Sequence, residues 1–82
     1  MEEIFVPALG MAMDNAILLE WRKQPGDQVN AGESVAVIET DKTTMDLTAE
    51  TSGILGRHRY QPNYEVPAGK TIAVVLAPGE VE

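Results

Sequence analysis

Residues 16–38 read AILLEWRKQPGDQVNAGESVAVI, and residues 53–75 read GILGRHRYQPNYEVPAGKTIAVV. A constant offset of 37 lays the first on the second without a gap, and ten of the 23 pairs are identical, among them Leu18/Leu55, Pro25/Pro62, Val29/Val66, Gly32/Gly69 and Ala36/Ala73. Several mismatches keep the physics: Val35/Ile72 and Ile38/Val75 stay aliphatic, and Asn63 replaces Gly26 with another residue that tolerates a left-handed turn. Self-similarity at a fixed offset marks a duplicated structural unit. Two halves are therefore expected to share one β fold about a pseudo-two-fold axis.

Within each half, apolar residues recur with a period near two, in short Val-, Ile- and Thr-rich runs bounded by Gly, Pro, Asn and Asp. That is the pattern of an all-β sandwich or barrel. Strands are expected near Ile4–Val6, Ala16–Arg22, Ser34–Thr40, Thr43–Ala49, Gly53–Tyr60 and Lys70–Ala77, with short bridging strands around Val29 and Val66. The architecture they imply is a flattened barrel or sandwich of two four-stranded, mostly antiparallel sheets, one from each half-repeat. Strict alternation turns Ile17, Leu19 and Trp21 inward with Ile54, His58 and Tyr60, and leaves Glu20, Arg22, Arg57 and Arg59 toward water.

The whole chain has 82 residues, which fits one domain spanning 1–82 and leaves no room for a second around an enclosed active site. Thirteen acidic against six basic residues give a formal charge of -7, which repels phosphate backbones and anionic headgroups, so neither nucleic acid nor membrane is an expected partner. No stretch reads as a signal peptide, transit peptide or transmembrane segment. With no cysteine there is no disulfide frame, thiolate nucleophile or sulfur metal site.

Between the halves lies Glu39-Thr40-Asp41-Lys42-Thr43-Thr44, where two strand-like runs meet around a polar pair. A tight hairpin with Asp41 and Lys42 as its loop residues sets Ile38 against Met45 and Ala36 against Leu47, with Val37/Asp46 and Val35/Thr48 on the other face. Lys42 then stands at the outermost tip.

Few residues offer chemistry. The single histidine, His58, lies in a strand without a ligand partner at i+2 or i+4, and its repeat position matches Trp21, so it reads as a packed imidazole at the edge of the core, with no metal site expected. Ser34 and Ser52 have no base beside them, so no catalytic residue is expected. Glu39 and Asp41 sit on an exposed turn where nothing separates their pKa values for acid-base work. Gly26, Gly32, Gly53 and Gly69 fall at corresponding turns or strand starts and read as turn chemistry, not as a phosphate-binding loop. Of the three lysines, Lys23 and Lys70 have repeat partners that are not lysine, and only Lys42 sits at the unrepeated hairpin.

The motif Glu39-Thr40-Asp41-Lys42-Thr43, centred between two half-repeats, closely resembles the lipoyl-lysine motif of lipoyl domains from the acyltransferase component of 2-oxo-acid dehydrogenase complexes. Val6-Pro7-Ala8-Leu9-Gly10-Met11-Ala12-Met13, Trp21 and Pro25-Gly26-Asp27-Gln28-Val29 resemble the same family, above all its pyruvate and acetoin members. The resemblance runs from about Ile4 to Leu76. Three departures stand out: Ala16 where glycine is usual, Thr43 where alanine is common, and Asn63-Tyr64 where the first half has Gly-Asp. Biotin carrier domains resemble the same fold, but their acceptor lysine is flanked by methionines, whereas Asp41 and Thr43 flank Lys42 here. A third alternative is an unmodified interaction module with an inert Lys42.

What the resemblance implies is a non-catalytic carrier with lipoic acid on Lys42, attached by a lipoate ligase or transferase, with Glu39, Thr40, Asp41 and Thr43 as the recognition motif. Its partners would be a thiamin-dependent decarboxylase, an acyltransferase core and a flavin-dependent dihydrolipoyl dehydrogenase. The loop Leu9–Asn15, with Met11 and Met13, is expected to help the decarboxylase tell this domain from others. The expected location is the cytoplasm, or the mitochondrial matrix in a eukaryote.

Overall fold

A computed structural model describes residues 1–7, 15–40 and 43–82. Eight strands follow in chain order: β1 Glu2–Phe5, β2 Asn15–Trp21, β3 Gln28–Val29, β4 Ser34–Glu39, β5 Thr44–Thr48, β6 Gly53–Leu55, β7 Glu65–Pro67 and β8 Thr71–Leu76. They form two four-stranded sheets, ordered β1-β8-β6-β3 and β5-β4-β2-β7, with antiparallel pairing throughout. The result is a flattened sandwich, and no helix occurs among the described residues.

The duplication is written into the hydrogen bonds. Leu18 N–H donates to the Tyr64 carbonyl at 3.0 Å, and Leu55 N–H, 37 residues on, donates to that of Asp27 at 2.9 Å. Gly26 to Leu55 (2.8 Å) and Asn63 to Leu18 (2.6 Å) form a second such pair, and Gly32 to Ala49 and Gly69 to Val6 (both 2.7 Å) a third. The last pair shows that β1 does for the second half what β5 does for the first. Burial follows the same rule: Leu18/Leu55, Val29/Val66, Val35/Ile72, Ala36/Ala73 and Ile38/Val75 are all buried in one cluster, so equivalent residues build one aliphatic core from both sides. The left-handed position is shared too, with Gly26 at φ +92° and Asn63 at φ +73°.

The structure corrects four expectations. Each sheet is not the property of one half, because β3 crosses to pair with β6 and β7 crosses to pair with β2. Strands of two or three residues are too short to show a period from which their sheet could be read. The inward set also differs: Ala16, Leu18 and Leu55 are buried, whereas Ile17 and Ile54 are each 38% exposed. A register shift between Leu18 and Glu20 inserts an extra residue in β2, so unbroken alternation counted back from Trp21 selects the wrong face. A similar shift between Ser34 and Ala36 sets Thr48 against Ser34 instead of Val35. Finally, β6 stops at Leu55 instead of reaching Tyr60, although Gly56 and Arg59 still donate to Val74 and Ile72.

His58 sits where the repeat places it. Its ring stacks on Trp21 with centroids 3.7 Å apart and planes 3° from parallel. Trp21 Nε1–H donates to the Tyr60 carbonyl at 3.0 Å, and His58 Nε2 lies 2.9 Å from that of Lys23, the repeat mate of Tyr60. A carbonyl only accepts, so Nε2 carries the proton. Residues equivalent under a two-fold axis meet each other on it, as these two rings do.

Candidate functional site

The hairpin β4–β5 keeps the expected register up to its end: Ala36 pairs with Leu47, Val37 with Asp46, Ile38 with Met45 and Glu39 with Thr44. Buried Val35–Ile38 anchor β4 in the middle of its sheet, so the hairpin grows from a fixed base. At the end of the ladder the Thr40 N–H donates to the Thr43 carbonyl at 2.7 Å. The Thr40 hydroxyl donates to the same carbonyl at 3.0 Å and accepts from the Thr43 N–H at 3.2 Å. Thr40 thus clamps both backbone groups of Thr43, a local use of threonine suited to turns. Asp41 and Lys42 connect the clamped pair and lie outside the described residues, as do Met11 and Met13.

Glu39, Thr43 and Thr44 are exposed, so the approaches to the hairpin end are wet. The other lysines are elsewhere. Lys23 Nζ is 3.0 Å from Glu33 Oε2, and Lys70 lies in the turn before β8. Glu33 is held below the ordinary glutamate range, first by the Asn30 N–H bonded to its carboxylate and then by Lys23. Among the described residues no group of three or more His, Asp or Glu could hold a metal ion.

One feature beside the hairpin centres on Phe5, a residue that the sequence reading does not single out. β1 and β5, edge strands of different sheets, flank a groove lined by Phe5, Pro7 and Met45. The signal was present in Ile4-Phe5-Val6: both neighbours are buried, and alternation turns Phe5 outward.

Residues 2–75 match a protein-family model for biotin and lipoyl attachment, described as "Biotin-requiring enzyme". The chain is 43% identical over 79 residues to the dihydrolipoyllysine-residue acetyltransferase component of the pyruvate dehydrogenase complex of Rickettsia conorii, covering 95% of this chain and 19% of that protein. It therefore spans about a fifth of that relative's length. Its fold superposes on the solution structure of the lipoyl domain of the 2-oxoglutarate dehydrogenase complex from Azotobacter vinelandii with a TM-score of 0.81 and 25% identity, covering 96% of this chain and all of the other. It also superposes on Kluyveromyces lactis urea carboxylase with a TM-score of 0.78 and 27% identity, covering 92% of this chain and 6% of that one. So similar a pair of scores means that the fold alone does not choose between the two prosthetic groups.

Proposed function

Since the chain belongs to the biotin- and lipoyl-attachment family, we propose that it is a lipoyl carrier domain whose acceptor is Lys42, serving a 2-oxo-acid dehydrogenase complex of pyruvate or acetoin type. The observation that carries this is the hairpin: the Thr40–Thr43 clamp leaves two residues at its end, and one of them is the lysine of the Glu39-Thr40-Asp41-Lys42-Thr43 motif.

The residues present fit the group. A lysine amine offers the nucleophile for an amide bond to lipoate, and the exposed flanks Glu39, Thr43 and Thr44 leave a ligase or transferase open access to the hairpin end. When attached, lipoic acid supplies a dithiolane that accepts an acyl group and electrons from a thiamin-dependent decarboxylase, gives the acyl group to coenzyme A on an acyltransferase, and returns electrons to a flavin-dependent dehydrogenase. The chain's own part is mechanical. Its buried β4 fixes the root of the arm, its clamp fixes the loop ends, and tethering raises the local concentration of the carried group at each partner. No side chain here is assigned a catalytic step. Met11 and Met13 are proposed to contact the decarboxylase.

Biotin carriage is the second reading, favoured by the family description and by the likeness to a carboxylase. Asp41 and Thr43 beside Lys42, in place of methionines, weigh against it. The test is transfer: the lipoylated chain is incubated with pyruvate and a purified pyruvate decarboxylase component, and its mass is followed. Gain of one acetyl group on the reduced arm supports the reading; a fully lipoylated chain that is acylated by neither pyruvate- nor acetoin-type decarboxylase overturns the assignment of substrate class.

A further inference from the structure

The groove between β1 and β5 is lined by apolar and acidic residues together. Phe5, Pro7 and Met45 line it, and Phe5 is 52% exposed although it is the chain's sole phenylalanine. Large aromatic rings carry much of the energy of protein contacts, and one held half in water beside a groove is a ready anchor. Glu2, Glu3, Asp46 and Glu50 line the same groove, and among the described residues no lysine or arginine does. The ion pairs among the described residues, Met1–Glu80, Lys23–Glu33 and Arg57–Glu82, involve none of these carboxylates. Two of them are held in place by neutral donors: Glu2 accepts from the N–H groups of Glu50 and Thr51, and Glu3 accepts from the Thr71 hydroxyl. Such bonds fix the negative charges without cancelling them.

We propose that this groove is the docking site for a segment of a partner protein in which an apolar side chain is flanked by lysine or arginine, and that the partner is the decarboxylase that loads the arm. Identifying the partner rests on the carrier reading; the chemistry of the segment rests on the groove. Charge complementarity selects the occupant, since four carboxylates on one groove, none of them ion-paired among the described residues, repel an acidic or phosphorylated surface and attract a basic one. Phe5 and Met45 then receive the apolar side chain. Position supplies the use: β5 starts at Thr44, two residues beyond Lys42, so a protein seated against β5 already faces the base of the arm.

The test is a titration of the isotope-labelled chain, lipoylated and unlipoylated, with the purified decarboxylase component, using wild type, Phe5→Ser, Asp46→Lys and a control, Tyr64→Ser, at an exposed residue that does not line the groove. The expected result is resonance broadening centred on Phe5, Met45 and Asp46 in both forms of the chain. Each groove variant should weaken binding about tenfold, the scale of losing one anchor, with the control unchanged. In reductive acylation the KM for the chain should rise by the same factor with kcat preserved, and Asp46→Lys should flatten the salt dependence. Asp46 is exposed, so its variant keeps the fold even if Phe5→Ser does not. Broadening confined to other surfaces, or binding by folded Asp46→Lys within twofold of wild type, overturns the proposal. A chain that docks through the groove yet accepts no lipoate would instead sink the carrier reading and leave the docking site standing.

Discussion

The stacked pair on the pseudo-two-fold axis gives a quantitative test of how the halves are joined. His58→Ala deletes the 3.7 Å stack on Trp21 and the 2.9 Å hydrogen bond to the Lys23 carbonyl. A hydrogen bond of this kind contributes about 0.5–1.5 kcal/mol. An aromatic stack adds about 0.5–1.5 kcal/mol beyond its area. Together they predict a loss of roughly 1–3 kcal/mol, and at about 4–8 °C per kcal/mol for a domain of this size, Tm should fall by roughly 4–24 °C. His58→Phe keeps a ring and loses only the bond, so it should cost about half as much. Trp21 is the only tryptophan, so its fluorescence reports the junction directly in a urea titration, with circular dichroism as the independent probe. Trp21 pairs with Ala36, three residues along β4 from Glu39, so lipoylation of the folded variant should proceed at the wild-type rate. A loss below about 0.5 kcal/mol for His58→Ala, the scale of an ordinary surface change, would refute the idea that the crossed Trp21–His58 pair joins the halves.

Other consequences follow from single observations. Asn63 holds φ +73°, so Asn63→Val should cost about 1–2 kcal/mol in urea denaturation, while Asn63→Gly should be near neutral, as Gly26 is in the equivalent place. Glu33, Glu80 and Glu82 are held below the ordinary glutamate range, by the N–H of Asn30, the N–H of Ala77 and the Arg57 side chain respectively as the largest causes. A depressed carboxylate stabilises fully above its unfolded value and loses that contribution as pH falls through the folded one, so stability should drop below about pH 4, and Glu33→Gln should make that drop shallower in a pH series of thermal melts. Exchanging the tip residues, Asp41→Lys with Lys42→Asp, preserves composition and should cost less than about 0.5 kcal/mol. Because the exchange moves the amine one residue along the chain, and an ångström of misplacement can cost ~100-fold in rate, the folded exchange variant should be a very poor substrate for a lipoate ligase.

Much of this was legible in sequence because the duplication repeats physics as well as letters. Gly26 and Asn63 match as left-handed positions in the sequence repeat, and the Ile38/Met45 and Ala36/Leu47 pairs follow from placing two loop residues at Asp41-Lys42. The phase of β2 was not legible. Counting by twos from Trp21 fails because one added residue between Leu18 and Glu20 reverses the facing of everything before it, and nothing in Leu18-Leu19 marks the bulge. Nor was the exchange of β3 and β7 between sheets, since Gln28–Val29 and Glu65–Pro67 owe their places to partners far along the chain. The β1–β5 groove escaped for a similar reason: Phe5 and Met45 lie 40 residues apart and become neighbours only when two sheet edges meet.

The most direct test of the central claim is to offer the expressed chain lipoate and biotin together, with both ligases, and to locate any modification by peptide mass spectrometry. The account predicts one lipoyl group on the peptide containing Lys42, none on those containing Lys23 or Lys70, and no modification of Lys42→Arg. Biotin on Lys42, lipoate on either other lysine, or incorporation into Lys42→Arg near the wild-type level would contradict it.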